Sequence, residues 1–282
     1  MSADEDSGLL QDLLGVLPRE ALAPSVQALL GVTVPRANAI TRAFDRLVAT
    51  PLKRDLARLH GPGLARREPM IYTARGTVAV DEWVDRVLEE AESTAMEAHL
   101  GRWLEEVARI VSGGIEAESG VGLRIEDDRG VHLYAIQAMP RSWKEDVSAL
   151  RKAAARVRGE ERDAHLYIAF LSGRTRTGPI PAEPDVSLLD PDDFWLRVSG
   201  IADFRARLLK ASIVLSALVE SRIAEEVARI KSEASALYGD PGGALDLDLL
   251  AAPPPRARLR RGREHGLDAA DTEPARADDA ES

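Results

Sequence analysis

The stretch from Gly122 to Gln137, GLRIEDDRGVHLYAIQ, constrains the fold more than any other part of this sequence. Two runs in which apolar and polar residues alternate flank the segment Asp127–Gly130, whose aspartates and glycine favour a tight turn. Alternation with a period of two is typical of strands that bury one face. The pattern therefore predicts a β-hairpin, and it favours Asp127 and Asp128 as turn formers rather than metal ligands.

Helices are predicted before this hairpin. Asp81 is placed to cap a first helix, and a capping box at Thr94–Glu97 predicts the start of a second one. The second helix has apolar residues on one face and is expected to end at Gly113–Gly114. We therefore expect a helical layer beside the hairpin.

After the hairpin, residues 143–158 read as an alanine-rich helix and AHLYIAFLSG reads as a buried strand. A further helix is predicted to begin at Asp190, with Phe194 and Trp195 as core residues rather than residues that stack on bases. The order helix, hairpin, helix, strand, helix predicts an α/β core.

Three regions are predicted along the chain. Residues 1–77 form an N-terminal helical region, in which prolines are expected to break the leucine-rich helices. Residues 78–240 form the α/β core together with long C-terminal helices, which extend from Ile201 to Tyr238. Residues 241–282 have too few apolar side chains to form a core and are predicted to be a disordered tail.

The composition excludes several kinds of site. With no cysteine, the chain forms neither disulfides nor thiolate zinc sites, and its five histidines are too scattered to pair at helical spacing. Metal chemistry would therefore use carboxylates. The acidic start MSADEDSG differs from a signal peptide, and no apolar run reaches the length of a membrane span. We therefore expect a cytoplasmic protein that does not bind a membrane.

Residues 94–210 resemble the PmeII-type family of type II restriction endonucleases, which is related to the TdeIII-type enzymes. The segments that carry the resemblance are LGRWLEEVARIV, GVGLRIEDDRGVHLYAIQAMPRSW, HLYIAFLSG and DDFWLRVSG. The resemblance implies the restriction-endonuclease-like core of PD-(D/E)XK enzymes, a small mixed sheet with a β-hairpin flanked by helices. It also implies acidic residues that hold Mg²⁺ against the scissile phosphate and a lysine that supports the attacking water.

The resemblance assigns the catalytic glutamate to Glu105, the strand aspartate to Gly122 and the lysine to Gln137. Pro140 and Trp143 keep the turn after the strand, with one residue added. Glycine cannot bind a metal through a side chain, and the loss of one preorganised electrostatic group typically costs about 10² to 10³ in rate. With two of three positions changed, we expect a weak or inactive nuclease without a cofactor.

A rearranged site is the alternative. Period-two alternation puts Gly122, Arg124 and Glu126 on one strand face, so Glu126 could hold Mg²⁺ jointly with Glu105, with Gln137 in the altered site. Both glutamate and glutamine also have structural interpretations. Glu105 could be a solvated charge beside the apolar stripe of its helix, and Gln137 could satisfy a backbone group at the sheet edge.

A basic segment follows the hairpin and is the candidate DNA-binding surface. Its positive residues are Arg141, Lys144, Arg151, Lys152, Arg156 and Arg158, and its only acids are Glu145 and Asp146, in a chain of net charge -10. Lys144, Arg151 and Arg158 are seven residues apart, which suits a helical stripe of phosphate contacts. Arg174 and Arg176 could extend this surface. The alternative is a solvated helix face.

Three functions remain open at this stage. The first is a protein of prokaryotic genome defence that binds duplex DNA and is a weak or inactive nuclease. The second is an active Mg²⁺-dependent restriction endonuclease with a rearranged site, and the third is a module that dimerises or binds a partner through its long helices. The resemblance implies a homodimer, and it implies a cognate methyltransferase as a further partner.

Overall fold

A computed structural model describes residues 19–64, 69–117, 122–137, 163–173 and 186–251, together with Ser148, Lys152 and Ala155. The helices are α1 (Arg19–Leu30), α2 (Val34–Phe44), α3 (Thr50–Ala57), α4 (Gly61–Leu64), α5 (Pro69–Thr73), α6 (Val80–Ser112), α7 (Pro191–Ser199), α8 (Phe204–Tyr238) and α9 (Leu247–Ala251). The strands are β1 (Leu123–Asp127), β2 (Gly130–Gln137), β3 (His165–Phe170) and β4 (Val186–Leu189).

The four strands form one mixed sheet in the order β1-β2-β3-β4. The predicted hairpin is confirmed: β1 and β2 are antiparallel, and Asp127 pairs with Gly130 across the turn. Gly130 has a φ of 118°, which only glycine adopts readily. β2 and β3 are parallel, as are β3 and β4, so a crossover connects each pair. The predicted α/β class with a small mixed sheet is therefore confirmed.

The two faces of the sheet belong to different hydrophobic clusters. Leu123, Tyr134 and Tyr167 point into the main core, which they share with the helices. Ala135 and Ile168 lie on the opposite face, in a separate small cluster. Because side chains alternate along a strand, this division fixes the face on which each neighbouring residue lies.

One hydrophobic core joins the helices before residue 77 to α6 and α8. Trp83 and Trp103 of α6 are fully buried in it, and the Trp103 ring meets the Phe44 ring edge-on with centroids 5.1 Å apart. The N-terminal region is helical as predicted, and its helices pack on the same core as the long helices. None of the helices in the described ranges is long and apolar enough to cross a membrane.

One predicted helix cap and one predicted helix start are wrong. Asp81 lies in the first turn of α6, whose N-cap residue is Ala79, and no side chain caps this helix end. Thr94 starts no helix, because α6 runs unbroken through it and the Thr94 hydroxyl donates to the Glu90 carbonyl oxygen at 3.1 Å. Packing of one face of α6 along its length therefore overrides the local capping signal.

The prediction that prolines break the N-terminal helices holds at Pro35, which lies in the first turn of α2 after α1 has ended at Leu30, but it fails at two other prolines. Pro24 lies inside α1. Pro51 follows a π-helical turn, Asp45–Ala49, that joins α2 to α3, and the Thr50 N–H donates to the Asp45 carbonyl oxygen five residues earlier. A wider turn changes the hydrogen-bond register just before the residue that lacks an N–H, so the chain stays helical.

The predicted start of the disordered tail, at residue 241, is too early in the chain. Residues 241–251 pack against the rest of the protein, since Leu250 of α9 is buried. The Leu245 N–H donates to the Val78 carbonyl oxygen at 2.8 Å, and the Val80 N–H donates to the Gly243 carbonyl oxygen at 3.1 Å. These bonds tie the segment after α8 to the start of α6. Residues 252–282 lie outside the described part of the chain.

The strand β4 was not predicted. Its four residues, VSLL, are too few to show a period, and the strand is defined by pairing with β3, in which Leu166 is opposite Val186. By contrast, the helix predicted at Asp190 is confirmed: Asp190 is the N-cap of α7 and its carboxylate accepts from the Asp193 N–H at 2.8 Å. Phe194 and Trp195 are buried, as expected for core residues.

Candidate functional site

Glu105 lies on α6, partly buried beside the apolar face of the helix. Burial raises the pKa of its carboxyl group, and the charge of Glu116 adds to this, whereas Arg109 and Arg102 lower the pKa. A carboxyl group with a raised pKa is a feature of many active sites, but it also arises wherever a lone acid is partly buried. The glutamate that the resemblance singled out is thus electrostatically perturbed.

The groups around Glu105 form an ion-pair network rather than an open metal site. Glu106 pairs with Arg109 at 2.9 Å and with Arg46 at 2.9 Å. Arg109 also pairs with Glu116 at 2.9 Å. Each carboxylate in the network except Glu105 thus has an arginine partner. Such pairing competes with metal binding for the carboxylate oxygens.

Gly122 is crowded by β2. A Cβ atom added at Gly122 would lie 2.9 Å from Ile136 Cβ, closer than side-chain carbons approach one another. Ile136 packs on the main core. The expectation that Gly122 shares a face with Arg124 and Glu126 is therefore wrong, because Gly122 forms a bend before β1 and a side chain there would point toward Ile136. The position does not accept an aspartate without a local shift.

Glu126 is exposed and pairs with Arg124, whose Nη1 lies 3.0 Å from its Oε2. Leu123 and Ile125 of the same strand pack on the main core, so Glu126 projects from the opposite face of β1. Glu105 belongs to the helix that shares the core with Leu123. The structure therefore does not bring Glu105 and Glu126 together.

Gln137 ends β2, where its backbone is paired with Phe170 of β3. Only the backbone of Gln137 falls within the described part of the chain, and the place of its side chain stays a prediction. Ala135, two residues earlier, is buried and carries no carboxylate. Among the residues that the structure describes, no group of three or more His, Asp or Glu side chains is arranged to hold a metal ion.

The basic segment is described only in part. Ser148, Lys152 and Ala155 are helical and exposed, as predicted for this stretch. The other candidate DNA contacts lie outside the described residues and stay predictions; they are Arg141, Lys144, Arg151, Arg156, Arg158, Arg174 and Arg176.

A polar cluster that lies on the sheet face packed against the helices was not predicted from the sequence. Arg197 of α7 donates from Nε to the Tyr134 hydroxyl at 3.1 Å and from Nη2 to the Tyr167 hydroxyl at 2.6 Å. The two phenol rings are stacked with centroids 4.9 Å apart. The guanidinium carbon lies 4.4 Å from the centre of the Tyr167 ring.

A sequence signal for this cluster existed. The triplet His-Leu-Tyr occurs at 132–134 and again at 165–167. The two triplets are in register in the parallel pair of β2 and β3, which stacks His132 on His165 as well as Tyr134 on Tyr167. Identical triplets in two predicted strands therefore indicated neighbouring positions.

No protein-family model matches the chain, and no curated protein sequence matches it. The functional interpretation therefore rests on the geometry above and on the resemblance in the sequence.

Proposed function

We propose that this protein binds duplex DNA through a restriction-endonuclease-like core and that it is a weak or inactive nuclease in prokaryotic genome defence. The element order supports the proposal. A long helix, α6, precedes the antiparallel β1-β2 hairpin, and a crossover then leads to the parallel strand β3. This is the order that the resemblance implies for the catalytic core.

The crowding at Gly122 is the main observation that supports the proposed loss of cleavage. Glycine occupies the position assigned to a metal-binding aspartate, and Ile136 fills the space that a side chain would need. Ala135 is buried and apolar. A hydrolytic site that relies on Mg²⁺ needs carboxylates at such positions to fix the ion against the phosphate. We infer that the strand serves as scaffold rather than as a metal site.

The basic segment supports DNA binding. At about 3.6 residues per turn, the sequence would put Lys144 and Arg151 on the same helix side as Ser148, Lys152 and Ala155. The last three are exposed. Positive side chains along one exposed helix side suit contacts to backbone phosphates, which give affinity and salt dependence without reading the sequence.

Fluorescence anisotropy with a labelled duplex over a salt series tests this proposal. The test variant replaces Lys144, Arg151 and Arg158 by glutamine. Each phosphate contact contributes about 0.9 to the slope of log K against log salt, so losing three contacts should lower the slope by about 3.

A matched control removes three exposed arginines from the N-terminal helices, at Arg36, Arg54 and Arg58. The control should keep the wild-type slope, which separates a local surface from a general effect of net charge. Equal affinity and slope in both triple variants and the wild type would contradict the proposed surface.

A partner-binding role of α8 is a second candidate. Leu209 and Ile213 lie one helical turn apart on α8 and expose 63% and 38% of their surface. Apolar side chains at this spacing suit contact with another helix. Sedimentation of the wild type and of Leu209→Glu tests it: a dimer that dissociates in the variant supports association through α8, and a monomeric wild type opposes it.

A further inference from the structure

Arg197 differs from the arginines of α8 in that it has no acidic partner among the residues that the structure describes. Arg205 pairs with Asp192 at 3.4 Å, and Arg207 pairs with Asp203 at 2.7 Å. Within the described ranges, the hydrogen-bond partners of Arg197 are the two phenols alone. Its positive charge is therefore held at a fixed place, and no carboxylate of the described ranges pairs with it.

An acidic residue lies close to Arg197 in the sequence and could have paired with it. Asp193 lies four residues before Arg197 on α7, a spacing at which an aspartate and an arginine pair on a helix surface. The structure has no ion pair between them in its described part, and the guanidinium turns toward the sheet instead. Both Nε and Nη2 bind phenol oxygens there, and Nη1, on the other side of the guanidinium, has no hydrogen-bond partner within the described ranges.

The two phenols add donors of their own. Tyr134 and Tyr167 expose only 2% and 8% of their surface. Each phenol oxygen accepts from Arg197, so each still has one O–H to donate, and neither O–H has an acceptor among the described residues. Burial raises the pKa of Tyr134, and its hydroxyl therefore stays protonated. A buried O–H without an acceptor is costly unless something binds to it.

We propose that Arg197, Tyr134 and Tyr167 form a binding site for a phosphate-type oxyanion, either a free phosphate group or the phosphodiester of a nucleic acid. The two hydroxyls supply the donors, and an arginine that has no carboxylate partner among the described residues supplies the charge. The charge of Asp127 contributes to the raised pKa of Tyr134, and the Asp127 carboxylate is already hydrogen-bonded to His132 at 3.0 Å. The site does not depend on the proposed DNA surface.

Titration of the full-length protein into inorganic phosphate, followed by ³¹P NMR linewidth at constant ionic strength, tests the site. The wild type should bind with a dissociation constant on the order of 1 mM. Arg197→Gln should abolish binding in this range. Tyr167→Phe keeps the stacked ring and removes one donor, and it should weaken binding about tenfold.

Arg207→Gln is the matched control, since it removes an arginine of α8 that is paired with an aspartate. It should bind phosphate like the wild type, and circular dichroism should show all variants folded. Equal binding by the wild type and Arg197→Gln would overturn the site. Loss in Arg197→Gln with full binding in Tyr167→Phe would overturn the part assigned to the phenol.

A duplex oligonucleotide added at low salt identifies the source of the phosphate. Displacement of inorganic phosphate by the duplex points to the phosphodiester backbone, and retention points to a small phosphate compound. Both results support the site. If the basic-segment triple variant no longer binds DNA yet still binds phosphate, the two sites are separate, so failure of one leaves the other standing.

Discussion

Replacing Gly122 by alanine adds one methyl group where Ile136 already occupies the space. The added carbon would lie 2.9 Å from Cβ, 3.1 Å from Cγ1 and 3.2 Å from Cδ1 of Ile136. Carbon atoms pack best at about 3.5 to 4.0 Å, so one of the two segments must move by roughly 0.6 Å. Rotation of the side chain does not relieve the contact to Cβ, which is fixed to β2 where Ile136 pairs with Ala169.

The expected cost follows from two opposing effects. Overpacking in a fixed environment costs about 1 to 3 kcal/mol, whereas replacing glycine by alanine stabilises by about 0.4 to 1 kcal/mol through the unfolded chain. The difference spans about 0 to 2.6 kcal/mol, and because side-chain rotation does not relieve the contact we expect Gly122→Ala to lower the free energy of unfolding by about 1 to 2.6 kcal/mol. Gly122→Asp makes the same contact and should lose at least as much.

Urea unfolding followed by far-UV circular dichroism measures this difference. Gly242→Ala is the control, because Gly242 lies in an exposed turn and its nearest neighbour would be a side-chain oxygen of Asp240 at 3.3 Å. The control should change the free energy of unfolding by less than about 0.5 kcal/mol. If Gly122→Ala is as stable as the wild type while the control behaves as expected, the crowding argument is refuted.

Three further substitutions test the electrostatics and the capping. Burial raises the pKa of Glu105, so its ionised form destabilises the folded protein at neutral pH. Glu105→Gln should therefore raise the free energy of unfolding by about 0.5 kcal/mol at pH 7, and this gain should shrink in acid. The Arg129 N–H and His132 lower the pKa of Asp127. The stability that the ionised Asp127 carboxylate adds to the folded state is therefore complete above the ordinary pKa of about 3.8, and it is lost as the pH falls through the lowered pKa. Thermal unfolding of Asp127→Asn should lack this acid-dependent step. Asp190→Ala removes the cap of α7 and should cost about 1 kcal/mol in urea unfolding.

Features that depend on a few neighbouring residues could be predicted from the sequence. The hairpin is one, since the turn needs a glycine with positive φ at Gly130 and an aspartate whose side chain accepts from the turn backbone, as Asp127 does from the Arg129 N–H at 2.8 Å. The cap at Asp190 is another. In both places the local chemistry and the tertiary structure favour the same conformation.

Features that depend on distant contacts could not be predicted from the sequence. Thr94 has the pattern of a helix start, but the packing of α6 keeps the helix continuous through it. The face of Gly122 was predicted by extending strand alternation one residue beyond β1, where the chain bends. The contact between Arg197 and Tyr167 requires the register of two strands and the position of α7, none of which is set locally.

Plasmid cleavage in Mg²⁺ and then in Mn²⁺, run beside a gel-shift assay with duplex DNA and a Glu105→Ala control, tests the proposed function most directly. The proposed function predicts that the wild type shifts the duplex and leaves the plasmid uncut in either metal. Metal-dependent cutting by the wild type that disappears in Glu105→Ala would contradict it and would establish an active, rearranged nuclease site.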